Sequence, residues 1–192
     1  MSQPRILAFA GSARTSSFNK SLIKIAAQGA RDAGAAVTLI DLKDYPLPLF
    51  DQDLEASQGA PENAVKLKQL FIAHDGLLIA SPEYNSSFSP LFKNTIDWVS
   101  RSAPGEPGLA AFNGKVATIM AASPGALGGI RGLVHVRAML GNINVVVLPQ
   151  QMAIPKAAEA FDAEGNLKDQ KLSSSVAGLG RGLAEFLSKL RG

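Results

Sequence analysis

The stretch Ala8-Phe9-Ala10-Gly11-Ser12-Ala13-Arg14-Thr15-Ser16-Ser17-Phe18-Asn19-Lys20-Ser21 decides the reading of this chain. An apolar run stops at Gly11, gives way to hydroxyls and one guanidinium, and continues into a helical pattern. That is the order strand, anion-binding loop, helix. Gly11 allows a tight turn without a Cβ penalty. Ser12, Ser16, Ser17 and Asn19 place polar side chains around a helix start whose free N–H groups already favour a negative ligand. Arg14 adds a planar fork matched to phosphate oxygens. Helix capping accounts for any one of the Ser or Asn residues, but not for all five polar groups together. The loop is not a Walker A, because Asn19 stands where Gly should precede Lys20-Ser21, and it lacks the G-x-G-x-x-G of a dinucleotide fold. A monophosphate is the expected ligand.

Outward from this loop, apolar runs alternate with helical periods. Residues 5–10, 37–41, 77–80, 115–122 and 145–148 read as strands, and their short continuous apolar character suits a parallel sheet buried on both faces. The helix after the loop ends near Ala33-Gly34, where glycine supplies a left-handed cap. Further helices are expected from Pro61 to His74, from Ser89-Pro90 through Val99, over 130–140 and over 172–190. Residues 42–60 hold neither period and read as a long loop, whose Leu47, Leu49 and Phe50 suggest a subunit contact. Such alternation gives an open parallel α/β sheet with helices on both faces, and ligands sit beyond the carboxyl ends of its strands. Three polar or glycine-rich loops qualify: 11–19, 81–89 and 123–129.

Composition bounds the remaining possibilities. At 192 residues and 46% apolar content the chain suits one domain, 1–192, with a substantial core. Its net charge is only +3 and its Lys and Arg are scattered, so no basic stripe points to nucleic acid. The absence of cysteine excludes disulfides, thiol catalysis and iron–sulfur ligation, and is compatible with a reducing cytoplasm. The two histidines, His74 and His135, cannot make a His-based zinc site alone. No apolar run approaches membrane-spanning length, so a cytoplasmic protein is expected.

Three motifs carry a resemblance: Gly11-Ser12-x-Arg14-x-x-Ser17-x-Asn19, Pro82-Glu83-Tyr84-Asn85, and Lys93-Asn94-x-Ile96-Asp97-Trp98. In this order and over most of the chain they resemble the NAD(P)H-dependent FMN reductases, including chromate, quinone and azo-dye reductases. The resemblance implies a flavodoxin-like, doubly wound five-stranded parallel sheet of order 2-1-3-4-5, bound FMN, NAD(P)H as co-substrate, and a homodimer or homotetramer. It implies that Ser12, Arg14, Ser17 and Asn19 hold the FMN phosphate, with Ser16 and Phe18 as further contacts. Pro82, Glu83, Tyr84 and Asn85 would hold the isoalloxazine, largely through main-chain groups, and Ser123 with Gly125 would line its other side. Many relatives carry Pro-Gly shortly after the Tyr-Asn pair, where this chain has Ser89-Pro90-Leu91-Phe92.

The implied chemistry is hydride transfer from NAD(P)H to FMN and then reduction of a small acceptor such as a quinone, free flavin, azo compound or chromate. The alternative is a flavodoxin-type electron carrier, against which the mildly basic charge argues. No side chain need act as acid, base or nucleophile. Glu83 reads as structural rather than as a proton donor. Gly128-Gly129 could let a nicotinamide nucleotide approach closely, and Arg131 could meet its phosphate or a neighbouring subunit.

Overall fold

The computed structural model describes residues 3–190. Strands β1 (Arg5–Ala10), β2 (Ala36–Asp41), β3 (Gly76–Ala80), β6 (Val116–Ala122) and β7 (Val146–Ile154) form one sheet in the spatial order β2-β1-β3-β6-β7. Every pairing within it is parallel. Counting only its own members, this is order 2-1-3-4-5 in a doubly wound flavodoxin-like arrangement, as the sequence implied. A separate antiparallel hairpin, β4 (Glu83–Tyr84) with β5 (Ser87–Phe88), follows β3.

The two-residue period of a strand divides the core into two layers. Ile6, Ala8 and Ala10 of β1 face α1 (Phe18–Asp32) and α7 (Gln170–Leu190), packing with Leu22, Ala26, Leu183 and Leu187. Leu7 and Phe9 face α3 (Glu62–Ala73), α4 (Pro90–Val99) and α5 (Ile130–Asn142), packing with Phe71, Phe92 and Leu133. Phe71 lies 5.5 Å from both Phe9 and Phe112, ring centre to ring centre, which makes the second layer aromatic. Within the first layer α1 and α7 touch backbone to backbone: a Cβ on Gly180 would lie 1.8 Å from the Ala26 carbonyl oxygen.

Two segments differ from the sequence reading. Residues 42–60 are not one loop, since a 3₁₀ turn (Leu42–Asp44) and helix α2 (Gln52–Gln58) lie within them. Asp51 caps α2 by accepting from the Asp53 and Leu54 N–H groups at 2.8 and 3.3 Å. Gly59 ends it at φ 77°. With no buried residue α2 has no apolar face, so no period announces it. The second difference is β7, which runs on past Leu148 because an irregularity in register opposite Ala117 to Ile119 accommodates Pro149. Arg137 satisfies this edge by donating to the Val147 and Leu148 carbonyls at 3.0 and 2.9 Å. The short helix α6 (Ala157–Ala160) completes the element order before α7.

Candidate functional site

The sheet's hydrogen-bond ladder runs on into the loops at its carboxyl end. Gly11 N–H donates to Ala80 O at 2.9 Å, Ser81 N–H to Met120 O at 2.8 Å, and Ser123 N–H to Ile154 O at 3.1 Å. Each loop therefore leaves the sheet in a fixed direction. Gly11 is closely packed here: a Cβ would meet Phe92 Cβ at 3.0 Å and Ser89 Oγ at 3.3 Å.

Ser17 is the N-cap of α1 and is 6% exposed, yet its hydroxyl makes no capping bond. Phe18 and Asn19 follow in the first turn, where backbone N–H groups lack intrahelical partners. Ser12 is buried beside them, and its Oγ lies 3.4 Å from the Arg14 N–H. Arg14 and Ser16 are exposed. The Asn19 amide is anchored at both atoms: Nδ2 donates to Ala122 O and Oδ1 accepts from Ala122 N–H, both at 2.9 Å.

The second loop is a hairpin, which the sequence reading did not resolve. Asn85 and Ser86 have φ of 51° and 67°, giving the two-residue turn with both centres left-handed that matches strand twist. Tyr84 extends from it with 49% exposure. Glu83 turns back toward α5: Oε1 accepts from Arg131 Nε and Nη2 at 3.1 and 2.8 Å, and Oε2 accepts from Gly132 N–H at 2.9 Å. Burial pushes the Glu83 pKa up, but the Gly132 N–H and the Arg131 guanidinium outweigh it and hold the carboxyl below its ordinary range. Glu83 is thus an ionised brace, and Arg131 is its counter-ion.

In the third loop Gly125 N–H donates to Ser123 Oγ at 3.2 Å. Gly128 (φ 63°) and Gly129 (φ 96°) are left-handed, and Cβ atoms there would lie 2.6 Å from Ile154 C and 2.8 Å from Ala121 Cβ. Both glycines are thus required by packing within the chain.

Together the loops enclose a cleft lined by Ser12, Arg14, Ser17, Phe18, Asn19, Pro82, Glu83, Tyr84, Ala122, Ser123 and Pro124. Ser16, Asn85 and Gly125 are exposed and lie outside its wall. The donors at one end suit a phosphate monoester: the uncapped Ser17 hydroxyl, Ser12, Arg14 and the first N–H groups of α1. The Tyr84 side beyond them offers an aromatic surface that the chain itself does not cover. Among the described residues no group of acidic or histidine side chains could hold a metal ion. No helix among them is long and apolar enough to cross a membrane.

Residues 4–159 match the family model described as NADPH-dependent FMN reductase. The chain belongs to this family. An NAD(P)H-dependent FMN reductase of Pseudomonas aeruginosa is 34% identical over 189 residues, covering 98% of this chain and 97% of that protein. A 2-hydroxy-1,4-benzoquinone reductase of a Burkholderia species is 34% identical over 164 residues, covering 85% of each. Among solved structures, the flavoenzyme NAD(P)H:(acceptor) oxidoreductase FerB of Paracoccus denitrificans superposes with a TM-score of 0.79 at 28% identity, over 97% of this chain and 98% of that one. Membership of the FMN reductase family makes the chain an oxidoreductase and implies FMN and NAD(P)H as its redox groups.

The motifs of this FMN reductase do more structural work than their residue types announce. Asn94 accepts from Phe50 N–H at 2.8 Å and donates to Pro48 O at 2.9 Å, while Trp98 Nε1 donates to the same carbonyl at 2.8 Å. The third motif therefore pins the loop before α2. Ser89, read in sequence as the start of a helix, caps α4 by accepting from Phe92 N–H at 3.2 Å and also donates to Gly11 O at 2.6 Å. Its signal was the Ser-Pro pair of a helix start, which gives the cap but not the contact with a residue 78 positions away. His74 lies within hydrogen-bond distance of Leu70 O and Thr38 Oγ1, at 2.6 and 2.7 Å, near the amino ends of the strands and away from the cleft.

Proposed function

We propose that this chain uses FMN held in the cleft to pass reducing equivalents from NAD(P)H to small diffusible acceptors, quinones foremost. The observation that carries the reading is the start of α1, where Ser17 is buried but caps nothing and Arg14 stands beside it. A hydroxyl so placed has surrendered its ordinary role, which is what a phosphate oxygen would exploit. Ser12, Ser17, Arg14 and the first-turn N–H groups of Phe18 and Asn19 bind the phosphate, with Ser16 as an outer contact. The hairpin positions Pro82, Glu83, Tyr84 and Asn85 along one side of the ring, and Ser123 with Gly125 along the other. Bound FMN supplies the hydride-accepting and hydride-donating atom. The protein contributes orientation, water exclusion and main-chain donors near the ring.

Quinones are supported by the relatives named quinone reductases, and free flavin by those named FMN reductases. Azo compounds and chromate rest on the family resemblance and on the openness of the Tyr84 side. The 192 residues work as one cytoplasmic flavin-binding domain. Leu127, Ile130 and Val134, exposed at 52%, 36% and 60%, support assembly into a homodimer or homotetramer.

The test is a visible absorption spectrum of the protein supplied with FMN, recorded before and after anaerobic NADPH or NADH and again after a quinone. Bound flavin that bleaches and then recovers is expected. Bound flavin that ignores both nucleotides would make the protein an electron carrier, and no bound flavin would remove the assignment of the cleft.

A further inference from the structure

The register between β6 and β7 passes from Ala117 opposite Val147 to Ile119 opposite Gln151. Thr118 therefore stands alone against three residues, Leu148, Pro149 and Gln150. A bulge bends the strand that carries it, and a groove of about 540 Å³ opens between this part of β7 and α7. Its volume falls within the range of pockets that bury small ligands. It shares no lining residue with the flavin cleft.

Two features of the groove have no account within the chain. The first is Thr118, which lines it and is 1% exposed. By the alternation of β6 its side chain lies on the α7 side of the sheet, with those of Val116 and Met120. Among the described residues, Thr118 Oγ1 is the one side-chain polar atom closed off from solvent without a hydrogen-bond partner. Buried hydroxyls are ordinarily paired, and an unpaired one is costly. The methyl and hydroxyl of a threonine are close in size, so a turn about χ1 exchanges which of them faces the groove.

The second feature is the pair Gly178 and Gly182, one turn apart on α7. Glycine is the poorest helix former after proline. Gly180 between them is explained by its contact with Ala26, but a Cβ at Gly178 or Gly182 would meet nothing within 4 Å. Both line the groove, where they leave helix backbone bare to a molecule lying against it.

The rest of the lining sets the chemistry of that molecule. Leu148 and Leu179 are buried and Phe186 is partly exposed, so the surface offered is chiefly apolar. The charged groups are one acid and one base, Glu185 and Lys189, which together favour neither sign.

We propose that this groove binds a neutral, largely apolar small molecule carrying one hydrogen-bonding oxygen, with Thr118 as the polar contact and the Gly178 and Gly182 face of α7 against its body. The proposal is independent of the reading of the flavin cleft.

The test is equilibrium dialysis of the FMN-supplied protein, without nicotinamide nucleotide, against 2-naphthol, naphthalene and 2-naphthoate. 2-Naphthol should bind about tenfold more tightly than the other two, the worth of one hydrogen bond, and should leave the flavin content unchanged. Thr118→Val should bring 2-naphthol down to the affinity of naphthalene while melting no lower than the wild type, because it removes a hydroxyl that has no partner in the chain. The double variant Gly178→Ala, Gly182→Ala should remain folded and weaken both neutral probes. Binding of 2-naphthol that neither variant changes would place the probe elsewhere and overturn the proposal. So would 2-naphthoate binding as tightly as 2-naphthol, or a Thr118→Val protein that melts early, which would give the hydroxyl a partner within the fold.

Discussion

Asn19 holds both backbone groups of Ala122, donating through Nδ2 to its carbonyl and accepting through Oδ1 from its N–H, each at 2.9 Å. One buried amide thereby fixes the second residue of α1 against the last residue of β6, 103 positions away. It is one of three latches among the carboxyl-end loops. The others are Ser89 to Gly11, and Glu83 to Arg131 with Gly132. The loops that form the cleft are cross-tied in pairs, which prepares the site before any ligand arrives.

The Asn19 latch predicts that even an isosteric change is costly. Asn19→Asp replaces the donor facing Ala122 O by an oxygen, and Asn19→Ala strands both partners away from water. Each should lose about 2–4 kcal/mol of unfolding free energy, since a buried group left without its partner costs roughly 1–3 kcal/mol. Urea denaturation of the flavin-free protein measures this directly. An Asn19→Asp variant as stable as the wild type would show that the latch is not needed.

Glycines in α7 should split into two classes. By helix propensity alone, Gly→Ala stabilises by about 1 kcal/mol. At Gly178 and Gly182 an added Cβ meets nothing within 4 Å, so alanine there should raise the melting temperature. At Gly180 the Cβ would lie 1.8 Å from Ala26 O, so α1 and α7 must separate. Gly180→Ala should cost about 2–3 kcal/mol or more, as overpacking against backbone does. Thermal melts of the three single variants give opposite signs within one helix, and a stabilised Gly180→Ala would refute the close backbone contact.

Most of this architecture was legible because parallel strands buried on both faces read as bare apolar runs, as residues 6–10 and 77–80 do. The loop 11–19 stood out because Ser12, Arg14, Ser17 and Asn19 exceed what a cap requires. What sequence could not supply was partnership across distance. Asn19 was read as a phosphate contact because its residue type fits, and nothing local says that its amide also ties both backbone groups of Ala122. Glu83 and Arg131 were each singled out, but nothing local says that residues 48 positions apart form one ion pair. Helix α2 stayed hidden because it buries nothing, and the far half of β7 because Pro149 and two glutamines look like the end of a strand.

The uncapped Ser17 separates binding from folding. At an ordinary N-cap, Ser→Ala costs about 1 kcal/mol of stability. Because the Ser17 hydroxyl makes no capping bond, Ser17→Ala should leave the melting temperature of the flavin-free protein nearly unchanged. It should weaken FMN binding by roughly tenfold, the worth of one hydrogen bond to a charged group. Fluorescence titration with FMN reads the affinity. A variant that melts early and binds FMN normally would reassign Ser17 to capping.

Glu83 sets a pH dependence whose direction follows from its brace. Its carboxyl lies below the ordinary range in the folded protein, because the Gly132 N–H and Arg131 together outweigh the cost of burial. A group depressed on folding stabilises the fold above its unfolded pKa, and loses that contribution as pH falls through the folded value. The brace is therefore complete at neutral pH and fails only in acid. Glu83→Gln keeps an oxygen for Gly132 but removes the charge facing Arg131, so it should cost roughly 1–2 kcal/mol at pH 7. The gap between wild type and variant should narrow only as pH falls below the ordinary carboxylate range, through the lowered folded value of the wild-type carboxyl. Denaturant midpoints of both proteins across this range check the sign, and a gap that stays constant would mean that the carboxylate charge contributes nothing.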